Sequence, residues 1–249
     1  MNENSTSHVF ISEDYGSTFT DISSKFLLKK NEETQATINK FFHHPHDNCY
    51  YVFTDTGHRH IFVTRDCGQT VPTHTVTFHP AHVEFDTQEL GRFLVHDRES
   101  DQMELYVTEN YGESFSKAAD YVKTFFWHYE EVRNQRGPKT KSSEINLIHL
   151  ILQNFTELYI SRMEPSGKLN ILSSRSFFQD HKDTTIVFTG ALEFEKKENY
   201  LFIVKENKNN PEQKRFFLAK TDQMQSFVEA KFSTNLELKD FHVAEVSFI

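Results

Sequence analysis

Histidine, thiol and carboxylate are the side chains of this sequence with the most chemistry to offer, and their spacing decides what they can do. Fourteen histidines are present; His43, His44 and His46 cluster, and His58 and His60 are placed to share one face of a strand. Imidazoles so spaced suit zinc, which takes three or four ligands, or a sensor that changes charge between about pH 5 and 7. Neither group has further ligands at a recognisable spacing, so no metal is expected, and surface and turn histidines are the plainer reading. Cys49 and Cys67 flank a hairpin expected near residue 58, within a couple of residues of register. A disulfide and two quiet buried thiols both fit.

The residues that recur at regular spacing are of another kind. Ser12-Glu13-Asp14-Tyr15-Gly16-Ser17-Thr18-Phe19 fits Ser-x-Asp-x-Gly-x-Thr-aromatic, the Asp-box. Asp14 has a carboxylate short enough to accept N–H groups inside a turn, and Gly16 can take the positive φ that a Cβ resists. Phe19 is expected to return the chain to the core. Apolar, β-branched segments lie on either side, so the box reads as a hairpin turn between strands. The pattern returns at Thr64, Asp66, Gly68 and Thr70, with Val71 in the aromatic position, and at Thr108, Asn110, Gly112, Ser114 and Phe115, with an amide for the acid. Two copies over residues 173–178 and 221–227 have lost the glycine. Taking the third position as register aligns Asp14, Asp66, Asn110, Arg175 and Asp222, at separations, by subtraction, of 52, 44, 65 and 47 residues. Four-stranded propeller blades repeat every roughly 40 to 50 residues.

The expected fold is therefore all-β: a β-propeller of four-stranded antiparallel blades with Asp-box hairpins, about five of them over residues 1–249. Blade one is read as residues 8–45, with a strand over 36–42 and a turn between blades at 43–48. Blades two and three carry the second and third boxes. Blade four runs from Leu158 to Phe188, and blade five starts at Tyr200. The polar, basic stretch over 133–143 lengthens one period and is read as an insertion spanning about 133–155. Residues 241–249 alternate apolar and polar side chains as a half-buried strand would.

Composition narrows the classes. Aromatics are 14% of residues, with 25 Phe and one Trp, which suits a folded β-rich chain and not a disordered one. A net charge of −9 with scattered Lys and Arg argues against nucleic acid as a partner. The apolar run at 145–152 is far shorter than the roughly 20 residues that span a bilayer, and residues 1–7 have no secretory-signal pattern. Asn4 and Asn154 each begin an N-glycosylation sequon.

Asp-boxes also occur in sialidases and some other glycoside hydrolases, so an Asp-box glycoside hydrolase or a glycan-binding protein is one reading. The boxes are structural turns, however. No Arg-Ile-Pro stands near the start, and no acid and nucleophile pair can be placed by spacing. No catalytic residue and no cofactor are expected.

The order of features resembles the Vps10 domain of the sortilin family over nearly the full length. It rests on the first box, then His44-Pro45 with Asp47-Asn48, Phe62-Val63-Thr64 before Asp66, Phe78-His79-Pro80, Tyr106-Val107-Thr108 before Asn110, and Phe126-Trp127. Glu164-Pro165-Ser166-Gly167 followed by Phe177-Phe178-Gln179 is the most specific stretch. The resemblance implies a ten-bladed propeller whose wide tunnel binds peptides and propeptides, without catalysis. It implies a place at the lumenal end of a receptor moving between Golgi, endosomes and plasma membrane, attached to the membrane only through segments absent from this chain. About five blades would make it the first half of that propeller, an incomplete ring. No ligand-contacting residue transfers by motif.

Overall fold

A computed structural model describes residues 7–28, 34–130, 155–221 and 226–230. The chain forms two compact units that divide in sequence after Val122.

In the first unit β1 (Phe10–Ile11) pairs with β2 (Thr20–Asp21), and a single-turn 3-10 helix, Ser23–Lys25, follows. Next comes a four-stranded antiparallel meander of β3 (Lys40–His43), β4 (Tyr51–Asp55), β5 (His60–Thr64) and β6 (Thr73–Thr75). A second meander is made by β7 (His82–Phe85), β8 (Phe93–His96), β9 (Leu105–Thr108) and β10 (Ser116–Ala119).

β5 reads His-Ile-Phe-Val-Thr and is buried along its whole length. Strands covered on both faces read as continuous apolar runs, and both faces of this sheet are covered. Val52, Ile61 and Val63 pack with Val83, Phe85, Phe93 and Val95 of the next sheet, and Val76 and Phe78 of the connection fill the same core. Phe53 and Phe62 point the other way, onto Ile22, Phe26 and Ala36 behind the first box. Each such side chain contributes on the order of 1.5–3 kcal/mol by leaving water. The first strands of the two sheets lie side by side: Lys40 Nζ donates to the Ala81 carbonyl at 3.1 Å, and Phe42 meets His82 edge-on at 5.5 Å.

The described residues of the second unit form one seven-stranded antiparallel sheet in sequence order. Its strands are β11 (Val122–Glu130), β12 (Phe155–Met163), β13 (Leu169–Ser174), β14 (Thr185–Lys197), β15 (Tyr200–Asn207), β16 (Asn210–Lys220) and β17 (Val228–Ala230). The sheet is curled. Leu169, Ile171, Ala191 and Ile203 form one core with Phe188, Phe194 and Phe217, while Phe126, Tyr159 and Leu201 form another. A second single-turn 3-10 helix, His181–Asp183, stands between β13 and β14.

Three expectations change. The strand assigned to blade one opens the following sheet, pairing from Lys40↔Thr54 to His43↔Tyr51, so the turn at 43–48 joins β3 to β4 within one sheet. Its bonds are local: His44 N donates to the Tyr50 carbonyl at 3.0 Å and Cys49 N to Asp47 Oδ1 at 2.9 Å. Second, the periods read as blades four and five run together, because β14 is unbroken: its start pairs with β13 and, from Ala191 onward, its remainder pairs with β15. Third, Phe155 opens β12. The rest of the expected insertion, the strand at 241–249, and Asn4, Asn154 and Asp222 lie outside the described residues.

Candidate functional site

The first three boxes share one geometry. Ser12 Oγ accepts from Gly16 N at 2.7 Å and donates to Asp14 Oδ1 at 2.9 Å. Asp14 then accepts from Thr18 N at 2.8 Å and Thr18 Oγ1 at 2.7 Å. Thr64, Asp66, Gly68 and Thr70 repeat these bonds at 2.7–2.9 Å. In the third box Asn110 Oδ1 takes the place of the carboxylate oxygen, accepting from Thr108 Oγ1 at 2.9 Å and Ser114 N at 3.0 Å. Its Nδ2 donates to Ser114 Oγ at 2.9 Å, reversing that bond, while Gly112 N keeps its bond to Thr108 Oγ1 at 3.0 Å. Each turn places two consecutive residues at positive φ: Tyr15 and Gly16, Cys67 and Gly68, Tyr111 and Gly112. The N–H and hydroxyl of Thr18 hold Asp14 below the ordinary carboxylate range. At Asp66 burial pushes upward but the bonds from Thr70 and Thr64 outweigh it, and the carboxyl is again lowered.

The fourth box sits one residue later than the expected register. Ser174 ends β13 as Thr64 ends β5, and its Oγ accepts from Phe178 N at 2.8 Å. Ser176, not Arg175, fills the third position, accepting from Asp180 N at 3.1 Å. Phe177 and Phe178 take the two positive-φ places. The missing acid comes from further along: Asp183 Oδ2 accepts from Ser174 Oγ at 2.8 Å and from Arg175 N and Ser176 N at 2.6 Å each.

The aromatic position also divides. Phe115 packs against Phe78 and Phe93 at 5.4 and 5.9 Å, and Val71 packs on the core behind the first box. Phe19 does not return to the core as expected; it is 66% exposed. Cys49 and Cys67 form a disulfide, with Cα atoms 4.2 Å apart, which ties the β3–β4 turn to the second box.

The histidines singled out by sequence are dispersed into separate roles. His44 is buried and stacks on Tyr50 at 5.3 Å, where burial lowers its pKa. His43 stacks on Tyr51. His58 Nδ1 meets buried Asp55 at 2.8 Å, while the His60 nitrogens contact the His58 carbonyl and Thr75. Among the described residues no group of three His, Cys, Asp or Glu side chains is arranged to hold a metal ion.

Sequence reasoning missed a second carboxylate device. Buried Asp55 accepts from Thr37 N at 2.8 Å and from His58 N at 2.9 Å. Buried Asp97 accepts from His79 N at 2.9 Å and from the turn N–H groups of Glu99 and Ser100 at 3.0 and 2.9 Å. Each pins the segment entering its own sheet to a hairpin inside that sheet. The signal was an aspartate at the end of the second strand of each sheet or directly after it, at positions 55 and 97.

An open groove lies between residues of β1 and β3. A groove of about 570 Å³ is lined there by Phe10, Ile11, Ile38, Lys40, Phe41 and Tyr51, among others. Phe10 and Phe41 are 55% and 65% exposed. β3 is an edge strand, hydrogen-bonded only to β4 within its sheet. Exposed rings beside an open strand edge suit an extended peptide, which adds main-chain bonds and drops alternate side chains into pockets.

Four-stranded meanders stacked face to face, with an Asp-box between third and fourth strands, are blades of a β-propeller protein. The Sortilin-Vps10 family model, described as "Sortilin, neurotensin receptor 3", matches residues 7–248, and the chain belongs to that family. It is 25% identical over 244 residues to the sortilin-related receptor of Oryctolagus cuniculus, covering 97% of this chain and 10% of that protein. Against the sortilin-related receptor of Homo sapiens it is 26% identical over 200 residues, covering 80% and 8%. The chain thus spans about a tenth of the length of these relatives. Among solved structures it is similar to a GH74 xyloglucanase from Xanthomonas campestris, with TM-score 0.43, 13% identity, and 92% and 35% of the two chains covered. Sqt1 of Saccharomyces cerevisiae gives TM-score 0.43, 9% identity, and 95% and 58% coverage.

Proposed function

We propose that this chain is a ligand-binding, non-catalytic portion of a sorting receptor, taking extended peptides or propeptides on the lumenal side of Golgi, endosome and plasma membranes. The observation that carries the reading is the open edge of β3 beside the apolar groove. The disulfide supports the compartment, since such bonds persist in oxidising surroundings. Family membership supports the class, and the relatives are receptors by name. No helix of the described residues is long and apolar enough to cross a membrane.

The test is a titration of the purified chain with a propeptide-like peptide and with the same peptide N-methylated at alternate residues. Pairing with β3 requires the methylated peptide to bind at least about tenfold more weakly, the loss of one or two net hydrogen bonds. Phe41→Ser should weaken the unmodified peptide without lowering the melting temperature, because Phe41 is exposed. Equal binding of both peptides would remove β3 from the site.

A further inference from the structure

We propose that the second unit holds a binding site for a phosphate or sulfate group, at the point where β14 changes partner. Gly190 takes a φ of 68° there, and the β13–β14 and β14–β15 ladders each slip register beside it. Beside the slip is an opening of about 390 Å³ lined by Lys168, Lys205 and Lys208, with Thr189, Asn207 and one carboxylate, Glu206, beside them. A Cβ at Gly190 would stand 3.9 Å from Lys205 Nζ, so the glycine keeps this wall of the opening low.

The charges are unbalanced in a way the fold does not require. Lys205 is directly opposite Arg215 in the β15–β16 ladder, and like charges so placed are unfavourable. Arg215 is neutralised by a two-point bond to Glu229, at 2.7 and 2.6 Å, and Lys168 by Glu206 at 2.6 Å. Lys205 donates to the Thr189 carbonyl at 2.8 Å and stands 5.0 Å over the Phe188 ring, and among the described residues neither it nor Lys208 has a carboxylate partner. Burial, and after it Lys208, Arg215 and Lys168, depress the Lys205 pKa. Two ammonium groups therefore lack a counter-charge at one opening in a chain of net charge −9. An anion between them removes the repulsion.

The geometry favours a tetrahedral oxyanion over a carboxylate. A planar carboxylate is matched by the guanidinium fork, and the fork present here, Arg215, is occupied by Glu229. Ammonium groups are point charges that can approach a polyvalent group from separate directions. Thr189 and Asn207 can add neutral donors.

The test uses the whole chain and three probes carrying the same chemistry from different sources: inorganic phosphate, a sulfated heparin-derived tetrasaccharide, and phosphatidylcholine vesicles with and without phosphatidic acid. Calorimetric titration should detect at least one, and the strongest identifies the source. Lys205→Met and Lys208→Met should each weaken it by about tenfold or more, the loss of one charge-assisted hydrogen bond. Lys196→Met, on the same sheet but stacked over Phe126, should leave it unchanged. Should Lys205→Met fail to fold, Lys208→Met, in the β15–β16 turn, decides alone. No heat with any probe, or equal loss in all three variants, would overturn the proposal.

Discussion

Asp66 satisfies its turn with bonds that water would otherwise have to supply, so Asp66→Ala should destabilise the first unit by about 1–2 kcal/mol in a denaturant titration. Asp66→Asn should be milder, because Asn110 already shows an amide making the same contacts with one bond reversed. The fourth box provides a sharper contrast. Asp183→Ala strips three donors of their acceptor and should cost about 1–3 kcal/mol, whereas Arg175→Ala should fall within about 0.5 kcal/mol. Equal effects would return the third position to Arg175. Asp14, Asp66 and Asn110 were legible in the sequence because hydroxyl, acid or amide, and glycine all lie within a few residues. Asp183 was not, because it lies several residues further on, in the single-turn 3-10 helix that brings it back onto the turn.

Cys49 and Cys67 close a loop with a sequence separation of 18 between two neighbouring turns. Replacing both with Ala should lower stability by about 3 kcal/mol on the chain-entropy estimate, read as the midpoint shift in guanidinium. Burial also lowers the pKa of His44, His74, His82 and His96, bringing His96 down to about 4, with Arg98 adding to the effect there. These rings stay neutral in the folded state while the unfolded chain takes up protons below about pH 6.5. Stability should therefore fall as pH drops from about 6.5 to about 4, with His96 alone accounting for on the order of 3 kcal/mol. His96→Gln should flatten that slope; an unchanged slope would mean the ring is already protonated in the fold. The pairing of the cysteines remained open in the sequence because hairpin spacing alone admits both states. β3 was assigned to the wrong sheet for a related reason: a strand and its turn look the same whether they close one blade or open the next.

Two units with separate cores should unfold in two calorimetric transitions, and only the first unit's should respond to reductant, since Cys49 and Cys67 are both in it. A single transition that shifts as a whole would show the units to be one cooperative body. Purified protein is expected not to turn over sialosides or other glycosides; turnover abolished by one carboxylate substitution would reopen the hydrolase reading. At this scale the sequence was readable wherever the box kept its glycine, because that residue dates each repeat. It was least readable from Leu158 onward, where Phe178 stands in the glycine position and the one glycine between Phe188 and Tyr200, Gly190, lies inside a continuous strand instead of ending one.

β14 is one strand serving two ladders, and this couples their histories. Side chains alternate faces with a period of two, and the stretch from Ile186 to Glu193 already carries slips in both ladders, so a one-residue change there can be taken up as a further bulge. From Glu193 to Lys197 the pairing with β15 runs without a slip, and one residue inserted there would turn the rest of the strand to the other face. The two halves of the curled sheet can drift in sequence, and near Gly190 in length, but any indel that a homologue carries should fall outside residues 193–197.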